Sequence, residues 1–245
     1  ADCSGESVAG GTVGSDGEFS ATIDLSGLSE SEDPQQLYAT IEADGQAGEC
    51  EPVGIGLVID RTAPTLADLS DDATPTRSKT WTWECSQACT WRHVVDGSPT
   101  GDPAGEFGST GAVDEASGTT TYSTGDGTKY LHIQVKDEAG NISPTTTVSA
   151  VLDNTPPAAP SAPTLVTAPS TSNDATPTVQ VGGVASGSAV KLFTNSGCTE
   201  VSQVATGTAS GATIDLDAGT LAEGSYTFYA TATDPAGNAS ACSSG

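Results

Sequence analysis

Tyr130-Leu131-His132-Ile133-Gln134-Val135-Lys136 alternates apolar and polar residues and then breaks at Asp137-Glu138-Ala139-Gly140-Asn141. Leu131, Ile133 and Val135 share one face, and His132, Gln134 and Lys136 share the other. A period of two marks a strand with one buried side. In the break, Asp can accept hydrogen bonds from turn amides, while Gly and Asn tolerate positive φ. The same sentence is written again downstream. Tyr226-Thr227-Phe228-Tyr229-Ala230-Thr231-Ala232-Thr233 places Phe228, Ala230 and Ala232 on one face and runs into Asp234-Pro235-Ala236-Gly237-Asn238.

Other stretches return with it. Asp72-Ala73-Thr74-Pro75-Thr76 reappears as Asp174-Ala175-Thr176-Pro177-Thr178, and Val58-Ile59-Asp60-Arg61-Thr62-Ala63-Pro64 as Val151-Leu152-Asp153-Asn154-Thr155-Pro156-Pro157. A period of roughly 90–100 residues is too long for a helical solenoid unit and suits a small β-sandwich. The linkers Arg61-Thr62-Ala63-Pro64 and Asn154-Thr155-Pro156-Pro157-Ala158-Ala159-Pro160 are stiff and extended. They divide the 245 residues into segments 1–62, 63–155 and 156–245. Aligned on their cysteines, the first segment lacks the opening strands of the third, and the third lacks the last strand of the first, Val53 to Ile59. Both are expected to be incomplete sandwiches. The two explanations are a window cut from a longer protein, or strands supplied by a neighbouring chain.

Composition agrees with an all-β chain. Aromatic residues make up 5%, methionine is absent, and there are 29 glycines and 14 prolines. Thin cores and frequent turns follow. The formal charge of -25, from 32 acidic and 7 basic residues, repels polyphosphate, so nucleic acid is excluded as a partner. The charge is uneven: -12, -8 and -5 along the three segments, with Arg77, Lys79, Arg92, Lys129 and Lys136 all in the middle one. Such acidity keeps an extracellular chain soluble and supplies oxygen ligands for a hard cation. No apolar run reaches 18 residues, so no membrane insertion is expected. Without an initiator Met or signal peptide, the sequence reads as a mature form or excised fragment.

The six cysteines point to an oxidising compartment. Ala21-Thr22-Ile23-Asp24-Leu25 matches Ala212-Thr213-Ile214-Asp215-Leu216, and Tyr38-Ala39-Thr40 matches Tyr229-Ala230-Thr231. Cys3 and Cys50 flank the first set as Cys198 and Cys242 flank the last, which pairs Cys3 with Cys50 and Cys198 with Cys242. Cys85 and Cys89 then close a tight loop. A zinc site fails there for want of a fourth ligand beside Cys85, Cys89 and His93.

These motifs resemble the bacterial immunoglobulin-like repeats of very long secreted adhesins and surface proteins. The matching residues are Asp60 to Pro64, Asp153 to Pro157, Asp137 to Asn141 and Asp234 to Asn238. The resemblance implies tandem immunoglobulin-like β-sandwich domains in a secreted or cell-surface protein. It implies neighbouring repeats or copies of the same chain as partners, and Ca²⁺ at the junctions as the one candidate cofactor. There, Asp60 and Asp153 would combine with turn carboxylates such as Asp137 and Glu138. The alternative for these four residues is simple turn formation. Asp215-Leu216-Asp217-Ala218-Gly219 departs from the twelve-residue calcium loop and reads as a turn.

Trp81, Trp83 and Trp91 have two readings: the core of the middle segment, or an aromatic platform for a host or cell-surface glycan or protein. His132 is placed on the solvent side of its strand. No nucleophile elbow, zinc-protease helix or phosphate loop occurs, so no catalysis is expected. Asn141-Ile142-Ser143 and Asn238-Ala239-Ser240 fit the N-glycosylation pattern, although Asn is wanted there for backbone reasons. The function expected is mechanical: a stalk, spacer or filament repeat, with a binding module as the alternative.

Overall fold

The structure is a computed structural model. It describes Gly10 and residues 31–39, 42–43, 46–47, 50–108, 116–166 and 173–245. Cys3 lies outside these residues, and so does its expected bridge to Cys50. Among the described residues there is no α-helix, only one 3-10 turn at Glu200–Ser202. No helix there is long and apolar enough to cross a membrane.

The strands fall into three groups. In the first, β1 (Ser31–Ala39) pairs antiparallel with β4 (Glu51–Ile59), and β2 (Glu42–Ala43) with β3 (Gln46–Ala47).

The second group contains β5 (Leu66–Ala67), β6 (Asp72–Thr76), β7 (Lys79–Cys85), β8 (Thr90–Asp96), β9 (Ser117–Tyr122), β10 (Gly127–Lys136) and β11 (Thr146–Leu152). They form two sheets, β5-β7-β9 and β6-β11-β10-β8. The first strand is split between the sheets. β5 pairs with β7, then the chain turns at Asp68, which has φ 66°, and β6 runs parallel to β11. Asp is among the few residues that enter the left-handed region at small cost. Pro75 is tolerated because β6 lies at a sheet edge.

Alternation decides what is buried. β7 turns Trp81, Trp83 and Cys85 inward, β10 contributes Leu131, Ile133 and Val135, and β11 contributes Val148 and Ala150. Trp83 and Trp91 meet edge to face, with ring centroids 5.5 Å apart. β9 passes so close that a Cβ on Gly118 would lie 2.5 Å from Trp83 Cζ2, so the core needs glycine at that point.

The third group has β12 (Thr164–Leu165), β13 (Thr178–Gly182), β14 (Ala189–Phe193), β15 (Gln203–Thr208), β16 (Thr213–Asp217) and β17 (Tyr229–Thr233). Its sheets are β12-β13-β16 and β15-β14-β17. The core is aliphatic and small, built on Val179, Val181, Val190, Leu192, Leu216, Ala230 and Ala232. Asp215 and Asp217 lie within β16, which corrects the turn expected there. The turn follows at Gly219, with φ 67°. Both carboxylates accept cross-strand hydrogen bonds, from Gln180 Nε2 at 2.9 Å and Thr178 Oγ1 at 2.8 Å.

The expected solvent face of β10 is also corrected. His132 is completely buried. The segment leaving β8 folds back over it, and a Cβ on Gly101 would lie 2.5 Å from the imidazole. Nε2 donates to the Ser98 carbonyl at 3.0 Å, and Nδ1 lies 2.9 Å from Thr147 Oγ1. Farther along the same segment, Phe107 lies 4.6 Å from the Arg92 guanidinium carbon and 5.8 Å from Lys136 Nζ. Cation–π attraction holds the cover down. Alternation reports which side chains share a face. It does not report whether an irregular segment lands on that face.

Candidate functional site at the junctions

The two copies of the Asp-x-Ala-Gly-Asn turn have the same internal geometry. Asn141 N–H donates to Asp137 Oδ1 at 2.8 Å, and its Nδ2 to Asp137 Oδ2 at 3.0 Å. Asn238 repeats both bonds on Asp234, at 2.8 and 3.0 Å. Glycine supplies the positive φ each turn needs, 96° at Gly140 and 92° at Gly237.

The second hydrogen on each asparagine amide leaves the turn. Asn141 Nδ2 donates to the backbone carbonyl of Asp60 at 3.1 Å, across 81 residues. Asn238 Nδ2 donates to the carbonyl of Asp153 at 2.8 Å, across 85 residues. Asp60 directly follows β4 and Asp153 directly follows β11. Each turn therefore fastens its own strand group to the exit of the group before it. These asparagines form a latch that sequence reasoning assigned to the turn alone. The signal available was the joint recurrence of the strand-Asp linker and the Asn-ending turn.

The carboxylates expected at a calcium site have other partners. Asp60 Oδ1 accepts from Thr62 N–H at 2.9 Å, and Asp153 Oδ1 from Thr155 N–H at 3.1 Å. Asp137 Oδ2 also accepts from Gln87 Nε2 at 3.1 Å. Glu138 is exposed at the tip of the turn. Among the described residues, no three His, Cys, Asp or Glu side chains converge as a metal would require. At both glycosylation motifs the asparagine serves the backbone, as expected of its place in the turn. Each Asn amide has both hydrogens engaged, and Asn238 is 5% exposed.

The second linker has an additional grip. Asp126, in the β9–β10 turn, accepts from Asn154 N–H at 2.6 Å and from the Thr155 hydroxyl. The Thr155 hydroxyl and then the Asn154 amide hold its carboxyl below the ordinary value of 3.8. A depressed carboxylate contributes its grip above the ordinary value and loses it as pH falls through the folded one. The Asn154 and Thr155 amide resonances should therefore titrate together with a midpoint below 3.8. In Asp126→Asn that titration should vanish, and a midpoint at or above 3.8 would exclude the grip.

The three tryptophans are at most 6% exposed, so no indole face is free to stack on a sugar. Trp83 and Trp91 do line a shallow depression of about 440 Å³. Asp68, Thr82, Glu84 and Thr119 also line it and bring carboxylates and hydroxyls. Of the histidines, His93 lies at the surface, desolvation by its neighbours holds its imidazole below its ordinary pKa, and Nε2 lies 3.1 Å from Thr120 Oγ1. Disulfides join Cys85 to Cys89 and Cys198 to Cys242.

Paired sheets, a first strand shared between them and linkers fastened to turns define tandem immunoglobulin-like β-sandwiches. Residues 167–244 match the family model described as a bacterial Ig-like domain. No curated protein matches the chain. Among solved structures, the chain is similar to the chicken CNTN1 FN1-FN3 domains at 12% identity, covering 84% of this chain and 71% of that one, with a TM-score of 0.44. A crystal structure of consecutive titin domains is 12% identical, covers 94% of this chain and 85% of that one, and gives a TM-score of 0.42.

Proposed function

We propose that this chain is a spacer segment of an extracellular bacterial surface fibre or adhesin stalk, whose work is to hold reach. It carries out no catalysis in this reading. Its partners are neighbouring repeats or copies of the same protein, and in the assembled form copies exchange last strands along β17. A glycan or protein on the target surface is left to another part of the fibre.

The observation that carries the reading is the asparagine latch, repeated at both junctions. A free linker lets each unit swing, whereas two anchored linkers transmit orientation from one unit to the next. Disulfides and acidic surfaces suit exposure outside the cell.

Spin labels on exposed positions of the second and third groups test this by pulsed distance measurement. The intact chain should give one narrow distribution. Asn238→Ala removes a hydrogen bond worth about 1 kcal/mol, so the misaligned population should rise about fivefold. A broad distribution in the intact chain would end the spacer reading. Narrowing on addition of Ca²⁺ after chelation would restore the cation.

A further inference from the structure

We infer that the loop closed by Cys85–Cys89 is a docking element, and that the segment it receives is the linker from the preceding repeat, Asp60–Thr65. The loop bonds one end of that linker directly and reaches the other by relay. Ser86 N–H donates to the Thr65 carbonyl at 3.0 Å, and Thr65 N–H donates back to Ser86 Oγ at 3.0 Å. Gln87 Nε2 donates to Asp137 Oδ2, Asp137 holds the Asn141 amide, and Asn141 holds the Asp60 carbonyl. The loop thus sets Thr65 directly and Asp60 through two intermediates.

Its construction fits this use. Cys85 and Cys89 are 8% and 3% exposed and belong to the core, while Ser86, Gln87 and Ala88 face outward. Closing so short a loop removes most of the conformations its polar tip would otherwise sample. Ser86 and Gln87 then meet the linker with little ordering left to do.

The second joint is an internal contrast. It has the same asparagine latch, but the corresponding loop, Gly182 to Ser188, has no cysteine to close it. Ser161 N–H donates to the Gly182 carbonyl at 2.9 Å. Gly183, at φ 72°, lies so near that a Cβ would come within 2.9 Å of Ser161 Oγ. Close backbone packing at the second joint thus occupies the place of the bridged loop at the first.

The inference rests on the reading of both junctions as stiff joints. Backbone ¹⁵N relaxation of the whole chain separates the two. Gln87→Ala keeps the bridge and removes the relay to Asp137; Cys85→Ser/Cys89→Ser frees the loop. In both, order parameters at Thr62, Thr65 and Asn141 should fall from about 0.85 toward 0.6 or less, with the larger fall in the cysteine variant. Asn154, Thr155 and Ser161 should keep their values. Unchanged order at Thr65 and Asn141 in Gln87→Ala overturns the inference, and that variant decides alone if the cysteine variant unfolds. Rigid intact joints with this negative result leave the spacer reading standing; mobile intact joints end both.

Discussion

Trp83→Ala is expected to destabilise the second strand group by about 3–5 kcal/mol, the range for deleting a fully buried tryptophan. Domains of this size have only about 5–15 kcal/mol in hand, so the group should be close to unfolding at room temperature. Its burial and two contacts make the loss severe. Trp83 is 1% exposed on β7, the central strand of its sheet. Its ring meets Trp91 edge to face, and β9 reaches it through Gly118 with no side chain between. A cavity there cannot close without moving a strand. Trp83→Phe should cost less, partly because Trp83 Nε1 has no hydrogen-bond partner in the core. Denaturant titration should show the second group's transition, followed by the fluorescence of Trp81 and Trp91, moving to lower denaturant, while the third group, which has no tryptophan and is followed by circular dichroism, unfolds as before. A change under about 1 kcal/mol would contradict the packing described.

The second large effect concerns sulfur. Cys198 and Cys242 are 44 residues apart and tie the loop after β14 to the segment after β17. In the chain-entropy model a loop of that length is worth about 4 kcal/mol, against about 2 kcal/mol for the loop closed by Cys85–Cys89. The third group needs this more, because its core is mostly valine and alanine. Cys198→Ala/Cys242→Ala should lower its melting temperature by roughly 10–25 °C, taking 2–4 kcal/mol at several degrees per kcal/mol for a small domain. Scanning calorimetry should show this transition moving away from that of the second group. A shift below about 3 °C would mean that the bridge closes a loop already ordered in the unfolded chain.

The fold was legible because its signals are local. Leu131, Ile133 and Val135 announce a buried face within seven residues, and Asp137 to Asn141 announce a turn within five. Their recurrence near Ala230 and Asn238 exposes the tandem arrangement without any long-range contact. The latch was only half legible. Asn141 was placed in its turn, but the acceptor that gives it a junction role is a backbone carbonyl 81 residues away. No side-chain pattern marks a carbonyl. His132 failed for a related reason: its burial depends on Gly97 to Gly108 folding over β10, and that segment has no periodicity to read. Of the residues lining the depression beside Trp83, the tryptophans stood out in the sequence but Asp68 did not, because it follows β5 at a backbone kink that no side-chain pattern marks.

Because the asparagine amide grasps a main-chain oxygen, it makes no demand on the identity of the residue that offers it. Two units joined in this way need not have coevolved as a matched pair. Recombination can therefore duplicate, delete or reorder such units while keeping this bond at each seam, so the number of units can change without redesigning it.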